Sequence, residues 1–485
     1  MGKPYQLLIG GSWVDGANGV YEIINPATEA VVGEAPEASA DDARSAAAAA
    51  REAFEGWSRT APERRASLLR GVADRIRERQ ADMIPLIIAE TGATLAVGSA
   101  MQVPVAADRF ERYARSATED HRVPISPVPM NATPLAPGAL MGAVAMRQPV
   151  GVVACITPYN FPITNMAGKI APALAMGNTV VIKPAPQDPL SVLELVRVME
   201  EVGFPPGVVN VVTGSGAEAG AALVETIDVD MVSFTGSTEV GQRIYASGAP
   251  TMKRLLMELG GKGACIVFDD ADVSKAVTAL VSVFAFHSGQ ICTAPTRAIV
   301  HRSVYDHLVS TLAGAAGRLP VGDPTKKETI VGPVISAAQR DRIEGYVQLG
   351  RDEGAEVVAG GRRPAVDSGF YVAPTLLAGC TNDMRVAREE IFGPVVVIIP
   401  FDEEDEAVSL ANDSDYGLYD YVYSSDSARA FRVARQLRCG HVGINTAQRN
   451  LEAPFGGFKR SGVGRDGGEF SLHAYSEVQS IIWPG

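Results

Sequence analysis

Thr179-Val180-Val181-Ile182-Lys183-Pro184 is an apolar, β-branched run that ends on a lysine and a rigid turn. It reads as a short buried strand of a parallel sheet. Its surroundings repeat the theme. Strand-like runs at 150–156, 208–212 and 231–234 alternate with helical patterns near 163–175, 190–202 and 217–225. Alternation of this kind from Gln148 to Gly260 argues for a parallel sheet with helices on its faces. The fold class is therefore α/β.

Further out, residues 5–35 alternate short apolar runs with Gly, Asp and Asn-Pro, and predict an edge meander of strands. Helical spacing then takes over. Ser39 or Asp41 caps an alanine-rich helix ending near Trp57, and Pro62 starts a second helix with Leu68, Leu69, Val72 and Ile76 inside. A third, near 103–117, includes Phe110 and Tyr113. Residues 121–146, rich in proline and small residues, read as a linker, an extended arm or a surface loop. A second α/β region follows from Ala264 to about Gly440, with strands expected at 265–268, 297–301, 395–400 and 441–445. Residues 480–483 predict a last short strand.

A chain of 485 residues is too long for one simple core, so two or three domains are expected. With 46% hydrophobic and 20% charged residues, it has the balance of a soluble globular protein. A formal net charge of −13 argues against sequence-independent nucleic-acid binding, which needs a positive surface. The first residues lack the apolar run of a secretory signal, and Gln6 departs from the acylation pattern. No stretch has the length and apolarity of a membrane span. Cys155, Cys265, Cys292, Cys380 and Cys439 are widely spaced with no CxxC pair, and the histidines are scattered. This pattern predicts no disulfide framework and no metal site, and fits the reducing cytoplasm.

Three strand ends in the first region suit a nucleotide. Gly214-Ser215-Gly216, with Gly220 beyond, follows a strand and opens a helix, where free backbone N–H groups can seat a pyrophosphate. The GxGxxxG spacing departs from the dinucleotide fingerprint, and a tight turn without ligand explains it equally well. Lys183 ends its strand where an ammonium could reach ribose hydroxyls. Phe234-Thr235-Gly236-Ser237-Thr238-Glu239 repeats the order of strand, glycine, hydroxyl residues and helix start.

The reactive groups lie between and after these. In Phe286-His287-Ser288-Gly289-Gln290-Ile291-Cys292-Thr293, the thiol follows a helix with Val273, Ala276, Val277, Leu280 and Phe284 at helical spacing. Asp272 is its expected cap and Ser288-Gly289 its expected stop. Cys292 is then either a core residue or a nucleophile on a rigidly mounted loop. Met257-Glu258-Leu259-Gly260-Gly261-Lys262 sets a carboxylate among apolar residues, as an ion-paired structural group or a base of raised pKa. Asn160, in Thr157-Pro158-Tyr159-Asn160-Phe161-Pro162, offers an amide N–H to an oxyanion. Spacing alone does not bring the three together.

These stretches resemble the motifs of the aldehyde dehydrogenase superfamily. So do Arg297, Glu389-Glu390-Ile391-Phe392-Gly393-Pro394 and Pro454-Phe455-Gly456-Gly457-Phe458-Lys459, all in the family's order. The likeness runs from Asn25-Pro26-Ala27-Thr28 to Tyr475-Ser476-Glu477, nearly the whole chain. The resemblance implies NAD(P)-dependent oxidation of an aldehyde to its acid. Cys292 would form a thiohemiacetal, Asn160 and the Cys292 N–H would hold the oxyanion, and Glu258 would activate the hydrolytic water. Lys169 and Asp466 match positions of a proton relay. The implied cofactor set is Ile156, Thr157, Pro158, Tyr159, Lys183, Gly214, Gly216, Phe234, Gly236, Ser237, Leu259, Glu390 and Phe392. Within it, Lys183 would meet the adenosine ribose, Ser237 the pyrophosphate, and Glu390 and Phe392 the nicotinamide ribose. The implied substrate pocket holds Phe161, Gly168, Ile291, Thr293, Arg449 and Phe455.

The implied architecture has two Rossmann-like parallel-sheet domains and a small β arm for oligomerisation. Residues 1–120 and 148–257 would bind NAD(P), and 258–445 would carry the thiol. Residues 121–147 and 446–485 would form the arm, the substrate-mouth loop and the C-terminal strand. A homodimer or homotetramer acting on a small-molecule aldehyde is expected, with neither nucleic acid nor membrane as partner.

Three departures from the family pattern bear on specificity. Pro186 stands where many NAD-preferring relatives have a ribose-binding glutamate, which brings NADP within reach while NAD stays favoured on family frequency. Arg449 occupies a stretch that is often aromatic; it could pair with a substrate carboxylate or phosphate, or face solvent. A semialdehyde or other acidic aldehyde, oxidised with NADP, is thus the alternative. Gly168 replaces a tryptophan of some relatives and is expected to leave room in the tunnel. Among rival classes, a thiol hydrolase with His287 as base would need no nucleotide site. CoA-acylating relatives typically lack the glutamate at Glu258, and a silent structural relative would not need Cys292, Glu258 and Asn160 together.

Overall fold

The computed structural model describes residues 4–484. Residues 1–3, where the stretch used for the leader and acylation readings begins, and residue 485 lie outside the described residues. Two hairpins open the chain, β1 (Leu7–Ile9) with β2 (Ser12–Val14) and β3 (Val20–Ile24) with β4 (Val31–Pro36). Helix Ala40–Ser58 follows. Ser39 Oγ accepts from the Asp42 N–H and the Asp42 carboxylate accepts from the Ser39 N–H, a reciprocal cap. Its Ala43, Ala46, Ala47 and Ala50 share one face and pack in a core with Val152 and Ala154. Methyl side chains let that helix lie close to the sheet.

Residues 121–146, for which the sequence leaves three readings open, form strands. β5 (Val123–Met130) and β6 (Ala139–Pro149) pair antiparallel. The core of the first region then comes from β7 (Val152–Ile156), β8 (Thr179–Lys183), β9 (Val209–Val211), β10 (Met231–Thr235) and β11 (Arg254–Glu258). The second region contributes β12 (Ala264–Val267), β13 (Arg297–His301), β14 (Glu356–Ala359), β15 (Thr375–Ala378), β16 (Val395–Phe401), β17 (Tyr419–Tyr423) and β18 (His441–Ile444). β19 (Gly462–Val463) returns to the first sheet, and β20 (Ser476–Pro484) pairs along β6 from Ser476↔Pro149 to Pro484↔Met141. The last strand is thus longer than the one expected at 480–483.

The first sheet runs β19-β11-β10-β7-β8-β9-β1-β2, and its five central strands are mutually parallel. β8 lies on one side of β7 and β10 on the other, so the chain leaves β7 in two directions. Open α/β sheets bind ligands in the crevice such a switch creates, at the carboxyl ends of the strands. The register aligns Lys183, Ile156, Phe234 and Met257 in one row across that edge, with Glu258 beside Thr235.

The second sheet runs β14-β15-β16-β13-β12-β17-β18. Only four of its seven strands are legible in the sequence. β17 is missed because Asp420 interrupts its apolar run. Asp420 is buried and accepts from the Ala264 N–H at 2.8 Å, which ties β17 to β12. The helix before the thiol ends at Phe284, earlier than the expected Ser288-Gly289 stop. His287, Ser288 and Gly289 then take left-handed backbone angles in succession (φ 49°, 55° and 71°).

Candidate active site

Glu258 is the last residue of β11, and the chain then turns through Gly260-Gly261. The missing side chains of that pair set how closely two other motifs approach. A Cβ on Gly261 would lie 2.5 Å from the Cys292 carbonyl oxygen, and one on Gly260 would lie 2.2 Å from a Glu390 carboxylate oxygen. On another side, a Cβ on Gly456 would lie 2.9 Å from Glu258 Oε1. Packed atoms do not come that close, so only glycine lets these segments meet. The Glu390 carboxylate closes the corner by accepting from the Gly261 N–H at 2.9 Å.

The thiol loop is held from behind. Ser288 Oγ donates to the Gly332 carbonyl at 2.6 Å, and a Cβ on Gly289 would lie 2.2 Å from the Gly393 carbonyl. Gln290 Oε1 accepts from the Ile335 N–H at 3.0 Å, and Tyr421 OH donates to the Thr293 carbonyl at 2.9 Å. The strand missed in the sequence thereby anchors the residue next to Cys292. Asn160 Nδ2 donates to the Gln290 carbonyl at 2.8 Å, while its Oδ1 accepts from the Phe161 N–H and Asn165 Nδ2. This fixes the amide with its NH₂ toward the thiol loop, and the second N–H is left for a ligand.

Burial dominates the electrostatics. It pushes the Cys292 thiol up to about 12; the Arg449 guanidinium works against this, and Glu258 and Glu390 add to it. Burial likewise raises the Glu258 carboxyl well above the usual range, with Asp466 adding and Lys169, Arg465 and Arg449 opposing. Neither Glu258 oxygen has a hydrogen-bond partner. An unpartnered, pKa-raised carboxylate on a cavity wall has the character of a general base. Lys169 Nζ donates to Ser233 Oγ at 3.1 Å, and Ser233 in turn bonds Tyr475 OH at 2.7 Å. Asp466 accepts from the Gly467 N–H at 2.7 Å and from Ser471. Neither Lys169 nor Asp466 bonds Glu258; they surround it as charges. His287 packs on Phe161 with ring centroids 5.2 Å apart, and both its ring nitrogens are unpartnered. Burial lowers its pKa to about 4, and it makes no hydrogen bond to the thiol.

A cavity of about 1680 Å³ runs over these groups. Cys292, Glu258, Asn160 and Asp466 line it, together with Pro158, Tyr159, Gly236, Ser237, Leu259, Glu390 and Phe392. Phe161, Gly168, Ile291, Thr293, Arg449 and Phe455 line it as well. Lys169 sits beneath the wall, and Ile156, Thr157, Lys183, Gly214, Gly216 and Phe234 lie off it. Lys183 Nζ donates to the carbonyls of Pro184 (3.0 Å) and Gly214 (3.3 Å), and burial lowers its pKa to about 8. The Ser215 N–H of the glycine turn donates to the Glu37 carboxylate at 2.9 and 3.0 Å. A carboxylate of the chain itself thus occupies that amide.

Other contributors carry no sequence signal. Gln339 Nε2 donates to the carbonyls of Ile391 and Phe392, and Arg342 Nη2 to that of Glu390. They support Phe392 in a left-handed conformation (φ 58°), with its ring edge-on to Tyr159 at 5.9 Å. At the mouth, the Arg449 guanidinium lies over the Phe455 ring at 4.0 Å. Gly168 does not leave the empty room expected of it. A Cβ there would lie 1.8 Å from Arg109 Nη1, so the Arg109 guanidinium fills the space and donates to the Thr164 carbonyl at 2.9 Å. Arg109, Arg112 and Arg115 recur every three residues along helix Val103–Ser116, a signal that could have found it.

A thiol, a carboxamide and a carboxylate gathered over a large cavity beside a helix-flanked parallel sheet make an α/β protein equipped for thiol-based acyl chemistry. The chain belongs to the aldehyde dehydrogenase family, whose profile, "Aldehyde dehydrogenase family", matches residues 13–481. It is 39% identical over 482 residues to a 3-succinoylsemialdehyde-pyridine dehydrogenase of a Pseudomonas species, covering 98% of each chain. To the betaine aldehyde dehydrogenase of Bacillus subtilis (strain 168) it is 38% identical over 483 residues, covering 98% of this chain and 96% of the other. The solved structure of betaine aldehyde dehydrogenase from Staphylococcus aureus in complex with NAD+ has a TM-score of 0.94 at 37% identity, over 99% of this chain and 95% of that one.

Proposed function

We propose that the protein oxidises an aldehyde to the carboxylic acid with NAD(P)+, through a thioester on Cys292. The observation that carries the reading is the convergence of Cys292, Asn160, Glu258 and Glu390 enforced by Gly260, Gly261 and Gly456. The aldehyde carbon is attacked by the Cys292 sulfur as the thiol proton passes to a base, for which the ionised Glu258 carboxylate is placed. The oxyanion of the thiohemiacetal is held by the free Asn160 N–H and the Cys292 backbone N–H. Bound NAD(P)+ supplies the two-electron oxidation that turns the thiohemiacetal into a thioester. After that first proton has passed to solvent, Glu258 takes one from water as the water oxygen adds to the thioester carbon; the carbon–sulfur bond then breaks, the acid departs and the proton held by Glu258 restores the thiol. Lys169 and Asp466 tune the charge around Glu258.

The residues present fit a dinucleotide. The cavity joins the thiol to the N-terminus of helix Thr238–Gly248, whose cap is Ser237, and two strand ends flank the switch point. Glu390 and Phe392 would hold the nicotinamide ribose, Ser237 the pyrophosphate, and Lys183 with Gly214 and Gly216 the adenosine side. NAD is favoured. Pro186 removes one carboxylate from that side, but Glu37 sets another next to Gly214 and Lys183. In this reading residues 1–120 and 148–257 serve the nucleotide and 258–445 carry the thiol. The exposed apolar residues Val123, Ile125, Val478, Ile482 and Trp483 on β5 and β20 suit a homodimer or homotetramer contact.

A second reading, oxidation of an acidic aldehyde, is favoured by Arg449 on the same cavity wall as Cys292. A panel of aliphatic, aromatic and acidic aldehydes, each with NAD+ and NADP+, tests both. Formation of the reduced nucleotide and the acid is expected, and its absence across the panel refutes the activity.

A further inference from the structure

Two guanidinium groups stand over the outer part of the cavity. Arg449 lies on the Phe455 ring, and Arg109 reaches in from helix Val103–Ser116 through the notch left by Gly168. Arg109 bonds only the Thr164 carbonyl, and Arg449 has no carboxylate partner among the described residues. The nearby Arg112, by contrast, is neutralised by Glu452. The acids at this end are otherwise engaged: Asp108 and Glu111 with Arg77, and Asp466 with Gly467 and Ser471. Arg109 and Arg449 line the same cavity, so each stands in the other's field. Among the described residues neither guanidinium has an ion-pair partner, although Glu258 lines the same cavity and feels the Arg449 charge, and an anionic ligand would give both one.

We propose that Arg109 and Arg449 together form a carboxylate clamp, so that the substrate is an aldehyde with a carboxylate remote from its carbonyl, and that Gly168 is glycine to admit Arg109. This rests on the aldehyde-oxidising reading and names its substrate class. The planar fork of each guanidinium suits a carboxylate, which two such forks can hold from either side. The aromatic face of Phe455 orients Arg449 without consuming its N–H donors.

The test uses the intact enzyme with succinic semialdehyde and its longer ω-oxo homologues, each beside its methyl ester. The quantity read is the ratio of kcat/KM for acid over ester. Arg109→Ala and Arg449→Ala are each expected to lower it roughly ten- to a hundredfold, the size of a lost charge-assisted hydrogen bond. Arg109→Lys should recover part of the loss. Gly168→Ala, which displaces Arg109, should lower the ratio as Arg109→Ala does. Combined with Arg109→Ala it should add nothing further, because both remove one contact. Equal losses on acid and ester, or a Gly168→Ala effect that adds to Arg109→Ala, would overturn the clamp. If no aldehyde in either form yields reduced nucleotide, the activity itself fails, and that result is distinct. A preference for an ω-phosphorylated aldehyde over the carboxylate of equal length would likewise refute the carboxylate assignment.

Discussion

The floor and the mouth of the cavity are built on opposite principles. At the floor, Cys292, Asn160 and Glu258 are clamped by backbone contacts, glycine gaps and buried hydrogen bonds, and desolvation raises the proton affinities of Cys292 and Glu258. At the mouth, Arg109 and Arg449 are long side chains lightly held, and net positive charge is what they present. The contrast separates the two tasks. Rigid, dry surroundings hold a carboxylate in the range where it can accept a proton. More exposed side chains at the mouth can choose a substrate by charge. Arg449 is where the two regions touch, since its charge also opposes the upward shift of the Cys292 thiol.

The comparison can be broken most severely at the floor. Cys292→Ala should abolish turnover while leaving nucleotide binding, followed by fluorescence titration, near that of the unaltered protein; surviving oxidation would remove the thiol from the chemistry. Glu258→Gln should lower steady-state turnover by about 10²–10⁴-fold, the usual worth of a general base. A burst of reduced nucleotide in this variant would place the main work of Glu258 in thioester hydrolysis, and a slow single phase would place it in taking the thiol proton. The sign of its pH effect follows from the raised pKa: only the ionised form accepts protons, so kcat/KM of the unaltered enzyme falls as pH drops through a value well above the ordinary glutamate range. In Glu258→Gln that limb should flatten.

Asn160→Ala tests the hydrogen-bonded side of the floor, with an expected loss of roughly 10²–10³-fold in kcat and little change in KM. A loss confined to KM would make Asn160 a mere support for Gln290. The smallest effect belongs to the far end of the nucleotide region. Glu37→Gln removes the carboxylate beside Gly214 and Lys183, and should raise the NADP-to-NAD ratio of kcat/KM by roughly three- to tenfold. An unchanged ratio would separate Glu37 from cofactor choice.

Much of the fold is legible in the chain because strands of a buried parallel sheet must be apolar throughout. Thr179–Lys183 and Val152–Ile156 announce themselves in this way. Tyr419–Tyr423 does not, since its buried Asp420 has its partner in β12, far off in sequence. The site residues carried by local motifs, Cys292, Glu258 and Asn160, are legible on the same terms. Gln339 and Arg342 are not, because each acts on a segment distant in sequence and leaves no local pattern; Arg109 leaves only its three-residue arginine spacing, which does not say what it meets.

By itself the sequence determined the α/β class, the order of the motifs and the residue types able to do the chemistry. All of these depend on local composition and spacing, which the chain carries directly. Tertiary structure decided what those residues meet: that Gly260 and Gly261 bring Glu390 and the Cys292 backbone against the end of β11, and that the gap at Gly168 holds a guanidinium instead of empty room. A glycine's missing side chain has meaning only through what fills its place, and the filler comes from elsewhere in the chain.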